Sequence, residues 1–392
     1  MDTTLVINPG SSSKKYALFR NGREVLNVLF EHTREGYGTC VEVDGERQHC
    51  EDVTEKAYGE ALGEAVAIAV REGVVKSVKE ITSVGIRIVA PGTYFEKHRT
   101  ITEDYLGYLR ALEATAPLHV PHTLHELTAL GEVLPNVPVV GVSDSAFHST
   151  MPEYARRYSI PEKDAEAYDV YRFGYHGISV SSVVREAGEL LGGIPERTVV
   201  CHVGSGVSVT ALRGGKSIDT TMGFAPGDGL VMGTRAGDVS TGALLYLMKV
   251  KGMDAVEAEE YVNGEGGFKG LLGQNDLRIV LDRVARGDAS ARVAIEIFTY
   301  HVKKSIGAFA AALGGLDLIV LTATAAERNP TVRALVAGGL EHLGVVLDYR
   351  ENEALAGRPG TITTEESRAK GLVIHTAEML VIARTTDETL KG

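Results

Sequence analysis

Four ionisable side chains stand where a chain ordinarily places apolar or turn residues. Arg87 interrupts the apolar run Val84-Gly-Ile-Arg-Ile-Val89. A charge in that setting needs a partner or a ligand anion, so Arg87 is either half of a structural ion pair or a clamp for an anionic substrate. Asp144 closes a second apolar run in Val142-Ser-Asp-Ser-Ala-Phe-His148. A carboxylate at the C-terminal end of a buried strand is placed for metal binding or catalysis, or else it caps the next helix. His176, in Phe173-Gly-Tyr-His-Gly177, has flanking glycines that leave its ring accessible, although a lone histidine is more often structural. Arg235 lies in Gly227-Asp-Gly-Leu-Val-Met-Gly-Thr-Arg-Ala-Gly-Asp238, a glycine-rich loop able to fold a guanidinium over a phosphate. The run Asn8-Pro-Gly-Ser-Ser-Ser-Lys-Lys15 joins two apolar stretches, Leu5 to Ile7 and Tyr16 to Phe19. It reads as a hairpin tip rich in N–H and hydroxyl donors, suited to a phosphate or serving only as a polar turn. It is not a Walker A loop, because the spacing is wrong and a strand follows. Arginines, a metal-seeking carboxylate and a phosphate-sized tip are the parts that phosphoryl transfer requires.

The elements that must position these residues recur twice. Strands are expected at 3–7, 15–20 and 24–31, then a hairpin about Asp44-Gly45. A helix is expected over 54–72, ending at Gly73, then a strand at 84–89, helices at 102–114 and 122–134, and a buried strand at 137–142. The order then repeats. A strand at 198–203 leads to the tip Gly204-Ser205-Gly206, followed by strands at 207–212 and 216–220. Helices are expected at 241–251, 255–262, 276–286 and 289–313, and a final buried strand at 316–322. The repeat is one of pattern, and the join falls near 145–165. Two such halves, each offering a glycine-serine tip, resemble the actin-like ATPase and sugar-kinase superfamily. The fold expected is α/β: two duplicated actin-like (ribonuclease H-like) lobes with mixed sheets, flanking helices and a central cleft.

Composition narrows the alternatives. The chain has 392 residues, room for about two or three domains. Its formal net charge of −12 argues against non-specific binding to nucleic acid or to an anionic membrane surface. An anionic substrate therefore needs locally concentrated arginine and lysine. No window reaches the roughly 18 apolar residues of a membrane span. The chain enters a strand at Thr3 without a basic and apolar leader, so a cytoplasmic protein is expected. Its three cysteines fit that compartment. With a two-residue turn at Asp44-Gly45, Cys40 faces His49 and Cys50 falls on the other face, so a disulfide between them is not expected. Cys201 reads as a small core residue, and no cysteine–histidine spacing suggests structural zinc.

Six ordered motifs give a specific resemblance to the acetate and propionate kinase family. Asn8 to Lys15 resembles N-x-G-S-S-S-x-K, and Ala116 to Pro121 resembles A-P-L-H-N-P. Asp144 to Pro152 resembles D-T-A-F-H-x-T-M-P, and Phe173 to Gly177 resembles Y-G-F-H-G. Lys216 to Gly223 and Gly229 to Arg235 are similar to a second family signature. The resemblance implies reversible in-line transfer between ATP and a short-chain carboxylate, giving acyl phosphate and ADP with magnesium, or alternatively manganese. It implies phosphate-side roles for Asn8, Ser12 and Lys15, with Asn8 also beside the metal. Arg87 and Arg235 match the arginines that hold the carboxylate and the moving phosphoryl group, and His176 matches the transition-state histidine. Asp144 and Glu378 match the acidic residues tied to magnesium, Asp144 being also catalytic. His202, Gly204, Ser205 and Gly206 match the second phosphate loop. Asp276, Leu277 and Arg278, with Thr322, Ala323, Thr324, Ala325, Ala326 and Glu327, match nucleoside-side segments. Val89, Leu118, Tyr175 and Pro226 match the pocket for the acyl tail. The resemblance further implies an N-terminal lobe over 1–147 completed by 379–392, a C-terminal lobe over 148–378, and a homodimer. No nucleic-acid or membrane partner is expected.

Four departures from the family pattern bear on activity. Ala90-Pro91-Gly92 stands in place of His-Gly-Gly, Ser205 in place of asparagine, and Tyr175 in place of phenylalanine. The largest is Ala323-Thr-Ala-Ala-Glu-Arg328 in place of G-G-I-G-E-N, which adds Cβ atoms where glycine permits positive φ. These leave open propionate or another acyl acceptor, a pyrophosphate or other non-ATP donor, and a catalytically silent binding homologue.

Overall fold

The computed structural model describes residues 2–10, 13–32, 36–113, 116 and 119–392. Contacts divide the chain into two compact units, Met1–Ala146 with Ala377–Gly392, and Phe147–Thr376. In the first unit, β1 (Thr3–Pro9), β2 (Ser13–Arg20), β3 (Arg23–His32), β4 (Tyr37–Val43), β5 (Glu46–Val53), β6 (Ser83–Ile88), β7 (Arg99–Thr100) and β8 (Val139–Ser143) form one sheet. Its order is β5-β4-β3-β2-β1-β6-β8-β7. The first five strands are an antiparallel meander, whereas β6 runs parallel to β1 and β8 parallel to β6. The central strands are apolar on both faces because both are covered. Leu5, Ile7, Tyr16 and Leu18 share one core with the helices Ala61–Arg71 and Val120–Val133. The opposite face receives the C-terminal helix, Glu378–Lys391. Gly85 permits this approach, since a Cβ there would overlap Thr386 Oγ1.

The region expected as one helix over 54–72 is two, Glu55–Gly59 and Ala61–Arg71, with Glu60 at the break and Gly73 at φ 70° beyond the end. The second of the next two expected helices starts earlier, at Val120. It takes Pro121 into its first turn, where an N–H would be unpaired anyway.

The cysteine expectation is overturned. Asp44 and Gly45 do form the turn, at φ 51° and 83°. The β4–β5 register then slips between Val41 and Glu42, so that Glu42 faces Arg47 and Val41 faces His49. Gln48 is the extra residue of a bulge. One inserted residue exchanges the faces beyond it, and Cys50 arrives opposite Cys40. The two are joined as a disulfide, with Cα atoms 4.1 Å apart. Cys201 is buried and unbridged.

The second unit holds β9 (Arg197–Val203), β10 (Val207–Arg213), β11 (Lys216–Thr220), β12 (Leu318–Thr322), β13 (Gly360–Thr361) and β14 (Lys370–Val373), ordered β11-β10-β9-β12-β14-β13. An antiparallel β11-β10-β9 is extended by parallel β12 and β14. That is the topology of β3-β2-β1-β6-β8, so the pattern repeat is a repeat of connectivity. The strand expected to be last is therefore not the last. β13 and β14 are two and four residues long, too short to carry a period. A helix that the sequence pattern did not reveal, Gly177–Leu191, packs Val180, Val183 and Ala187 against Val200, Leu212, Leu318 and Val320. Among the described residues, no helix is long and apolar enough to cross a membrane.

Candidate active site

In the first unit, three parallel strands end together and deliver three polar side chains. Asn8 is near the end of β1, Arg87 is on β6, and Asp144 follows β8, its N–H donating to the Ile88 carbonyl at 2.9 Å. The C-terminal ends of parallel strands are where open α/β sheets hold ligands. Thr4 bonds Asp387 at 3.1 Å, which helps lay the C-terminal helix along β1 and brings its first residue, Glu378, to Asn8. A continuous chain of contacts results. Arg87 Nη2 donates to Asp144 Oδ2 at 2.7 Å, Arg87 Nη1 to Asn8 Oδ1 at 3.3 Å, and Asn8 Nδ2 to Glu378 Oε2 at 2.9 Å. Asp144 is 1% exposed. Burial works to lower the Arg87 pKa; the carboxylates of Asp144 and Glu378 and the hydrogen bond to Asp144 outweigh it, and the net shift is upward. Arg87 Nε is buried and finds no hydrogen-bond partner among the described residues.

Strand alternation sorts the two lysines of the first tip. Lys15 pairs with Asn8 across β1–β2 and so lies on the Asn8 face, exposed. Lys14 lies on the other face, committed to buried Glu126 at 2.9 Å, which also accepts from the Tyr16 hydroxyl at 2.9 Å. Val89 is buried just beyond β6, with Ala90 and Pro91 buried beside it and Gly92 turning at φ 119°. Ser12 and Leu118, two expected site residues, lie outside the described residues.

The second unit gathers a different set. His176 sits at φ 61°, ψ 16°, immediately before the Gly177–Leu191 helix, a left-handed position that aims its ring back toward β9 and β10. Its Nδ1 is 2.9 Å from Ser208 Oγ, and the Nδ1 of His202 is 2.9 Å from Ser179 Oγ. The two imidazoles stack with centroids 3.9 Å apart. Both serines are fully buried. Sequence reasoning missed them; its one available signal was a hydroxyl inside the apolar run Val207 to Leu212. At the second tip, Gly204 N donates to Gly206 O at 2.9 Å, and Ser205 is exposed. A Cβ on Gly206 would lie 2.6 Å from His176 Nε2. Gly206→Ala is therefore expected to displace the imidazole and reduce turnover about 10²-fold, the usual consequence of an ångström-scale misplacement. Steady-state rates on a variant with wild-type circular dichroism check this, and an unchanged rate contradicts it.

Arg235 Nη1 donates to the Pro226 carbonyl at 3.2 Å within a loop tied by backbone groups, Gly229 N to Asp238 Oδ1 at 2.8 Å and Ala225 N to Asp228 Oδ2 at 3.0 Å. Burial pushes the Asp228 carboxyl up. The added hydroxyl of Tyr175 is already committed to the Phe224 carbonyl at 2.6 Å. Asp276 caps the helix Leu277–Ala285 and pairs with the exposed Arg278 at 2.7 Å. Beyond β12, Ala323 adopts φ 70°, ψ 162°, a region almost reserved for glycine, at a cost of about 1–3 kcal/mol. The altered loop thus keeps a glycine-like backbone without the glycine. Thr324, Ala325, Ala326 and Glu327 follow in a short helix, Thr324–Arg328.

Residues 3–384 match the Acetokinase family. An acetate kinase of Bacteroides fragilis is 39% identical over 390 residues, spanning 97% of this chain and 98% of its own length. An acetate kinase of Thermotoga maritima is 39% identical over 396 residues, spanning 99% and 98%. Among solved structures, the acetate kinase of Porphyromonas gingivalis superposes with a TM-score of 0.85 at 34% identity, with all of both chains covered. A propionate kinase from Francisella tularensis gives 0.89 at 32% identity, covering 99% and 100%. Full-length agreement in sequence and in fold places the chain in the acetokinase family, to which it belongs.

Proposed function

We propose that this enzyme transfers the γ-phosphoryl group of ATP to acetate, reversibly, giving acetyl phosphate and ADP. The observation that carries the reading is the Arg87 assembly: a mostly buried guanidinium fixed by Asp144 and Asn8 that still has unengaged donors. Arginine has five N–H donors, and among the described residues one Nη1 and one Nη2 hydrogen are engaged. The second hydrogen on each Nη suits a small carboxylate. In the forward direction an acetate oxygen bonds to the γ-phosphorus as the bond from that phosphorus to the bridging oxygen of ADP breaks. Acetate is already ionised near pH 7, so no proton has to be removed from the nucleophile. The barrier is chiefly repulsion between two anions, which positive charge and fixed donors relieve.

Arg87 takes the acetate carboxylate, and selectivity for the acyl tail is assigned to Val89, Leu118, Tyr175 and Pro226. His176 and Arg235 act on the moving phosphoryl group. Ser208 Oγ, 2.9 Å from Nδ1 of His176, fixes the orientation of the ring. Asn8, Ser12 and Lys15 serve the phosphates in one unit, and His202 with Gly204, Ser205 and Gly206 in the other. Asp276 to Arg278 and Thr322 to Glu327 border the nucleoside. The glycine-like backbone at Ala323 favours ATP over a donor lacking a nucleoside, because the added Cβ has not forced this position out of the glycine region.

No three His, Cys, Asp or Glu side chains form a metal cage among the described residues. Magnesium carried on nucleotide phosphates needs only one or two carboxylates, and the hard oxygens of Asp144 and Glu378, linked through Arg87 and Asn8, fit that mode. Asp144, Glu378 and Asn8 would hold it, with manganese as the alternative ion. When bound, the ion neutralises phosphate charge as a Lewis acid. Dependence on ATP is the reason to place the reaction in the cytoplasm.

A homodimer is part of the reading. The helix Thr241–Lys251 has no buried residue, although Leu244, Leu245, Tyr246, Leu247, Met248 and Val250 are apolar, and Leu245 and Tyr246 are 59% and 64% exposed. A stripe of that kind marks an interaction surface. Light scattering on the purified chain is expected to give twice the chain mass of 41.9 kDa. A single-chain mass at micromolar concentration contradicts the dimer.

The functional test is a donor and acceptor matrix: ATP, GTP and pyrophosphate against acetate, propionate and butyrate. The highest kcat/KM is expected for ATP with acetate. One methylene in an apolar pocket changes selectivity by only ~1–3 kcal/mol, so propionate should be slower yet measurable. Turnover with pyrophosphate and none with ATP would overturn the donor assignment.

A further inference from the structure

One carboxylate oxygen gathers three segments at the edge of the proposed nucleoside site. Glu327 Oε1 accepts from Thr322 Oγ1 at 3.3 Å, from Ala323 N at 2.8 Å and from Thr376 N at 2.9 Å. Thr322 ends β12, and Ala323 opens the loop in its glycine-like conformation. Thr376 is the last residue of the second unit before the chain passes into the first at Ala377. Glu327 is itself anchored from behind. Arg333, fully buried, donates to the Ala326 and Glu327 carbonyls at 3.0 Å each and to Asn352 Oδ1 at 2.6 Å.

We propose that Glu327 is a positioning residue for phosphoryl transfer, a latch that holds the Ala323 backbone in the glycine-like conformation and ties the donor loop to Thr376. The inference rests on reading 322–327 as a nucleoside-side segment, and it gives Glu327 a role other than touching the nucleotide. The physical basis is compensation. An alanine at φ 70° relaxes toward negative φ unless something holds its N–H. A carboxylate accepting from two backbone N–H groups is the stronger kind of hydrogen bond, and here it holds that N–H. Ala326 and Glu327 are fixed by Arg333, so the acceptor cannot follow the loop if the loop relaxes. The same oxygen fixes Thr376, whose chain leads within two residues to Glu378, where the Asn8 contact is made.

The compensation is testable because it can be removed from either side. Glu327→Ala is expected to raise KM for ATP about tenfold, equivalent to ~1.4 kcal/mol, with KM for acetate within about twofold of wild type. Adding Ala323→Gly to that variant is expected to return KM for ATP to within about threefold, since glycine needs no clamp to hold positive φ. Glu327→Gln, which keeps an uncharged acceptor, should fall between wild type and Glu327→Ala. Hydrogen exchange reads the latch without any substrate: the Ala323 and Thr376 amides should exchange about tenfold faster in Glu327→Gln. Unchanged KM for ATP in Glu327→Ala, no recovery in the double variant, or unchanged exchange at those two amides overturns the latch. A wild-type chain inactive with ATP would instead remove the functional reading, and the exchange rates would then decide the latch alone.

Discussion

Arg87→Ala is expected to lower kcat by about 10³-fold or more and to cost about 3–5 kcal/mol of stability. The two losses have separate causes. Activity falls because the guanidinium is the cation placed among Asn8, Asp144 and Glu378, where an acetate carboxylate would otherwise meet two acidic side chains unopposed. Stability falls because the carboxylate of Asp144, 1% exposed, loses the guanidinium that balances its charge. A second substitution separates them. Asp144→Asn in the Arg87→Ala background removes the carboxylate charge that Arg87 balanced and should recover most of the melting temperature while leaving turnover as low as before. Thermal melts and steady-state rates on both variants check this. Turnover within tenfold of wild type in Arg87→Ala would remove Arg87 from the chemistry and leave it a structural ion pair.

Arg235→Ala should cost about 10²–10³-fold in kcat with little change in melting temperature. Bonds other than those of the guanidinium tie down much of its loop: Met232 N donates to Arg235 O at 3.0 Å, Ala236 N to Val262 O at 2.8 Å, and Asp238 Oδ1 accepts from Gly229 N at 2.8 Å. Gly267 seals the arrangement, since a Cβ there would overlap the Met232 carbonyl and lie 2.8 Å from that of Arg235. Truncating the side chain therefore removes a cation and its bond to the Pro226 carbonyl while these other ties remain. Lysine at this position is expected to recover only part of the rate, because a point charge does not reproduce a planar fork of donors on phosphate oxygens. Loss of rate confined to a raised KM for acetate would place Arg235 on the substrate and away from the phosphoryl group.

The residues that carry charge in unusual places are legible in the sequence. Arg87 in an apolar strand and Asp144 at the end of another announce themselves by cost alone, and both are found where parallel strands end. Long periodic segments are legible too, the helix Ala289–Leu313 above all. What escapes depends on register or on partners distant in sequence. The bulge at Gln48 leaves no compositional mark, yet one extra residue converts two cysteines on opposite faces into a bonded pair. Ser179 and Ser208 look like ordinary small residues until the stacked histidines are placed beside them. β14 is only four residues long and is defined by its pairing to β12. The loop at Ala323 reads as a lost glycine turn, because sequence shows the Cβ that was added and hides the carboxylate that holds the turn in place.

The most direct measurement traps the product. Purified protein is incubated with ATP, magnesium and acetate in the presence of hydroxylamine, and acetohydroxamate is quantified against ADP. Transfer to acetate yields one acetohydroxamate per ADP, with neither formed when acetate is omitted. ADP accumulating without hydroxamate, or hydroxamate absent under saturating ATP and acetate, would contradict it.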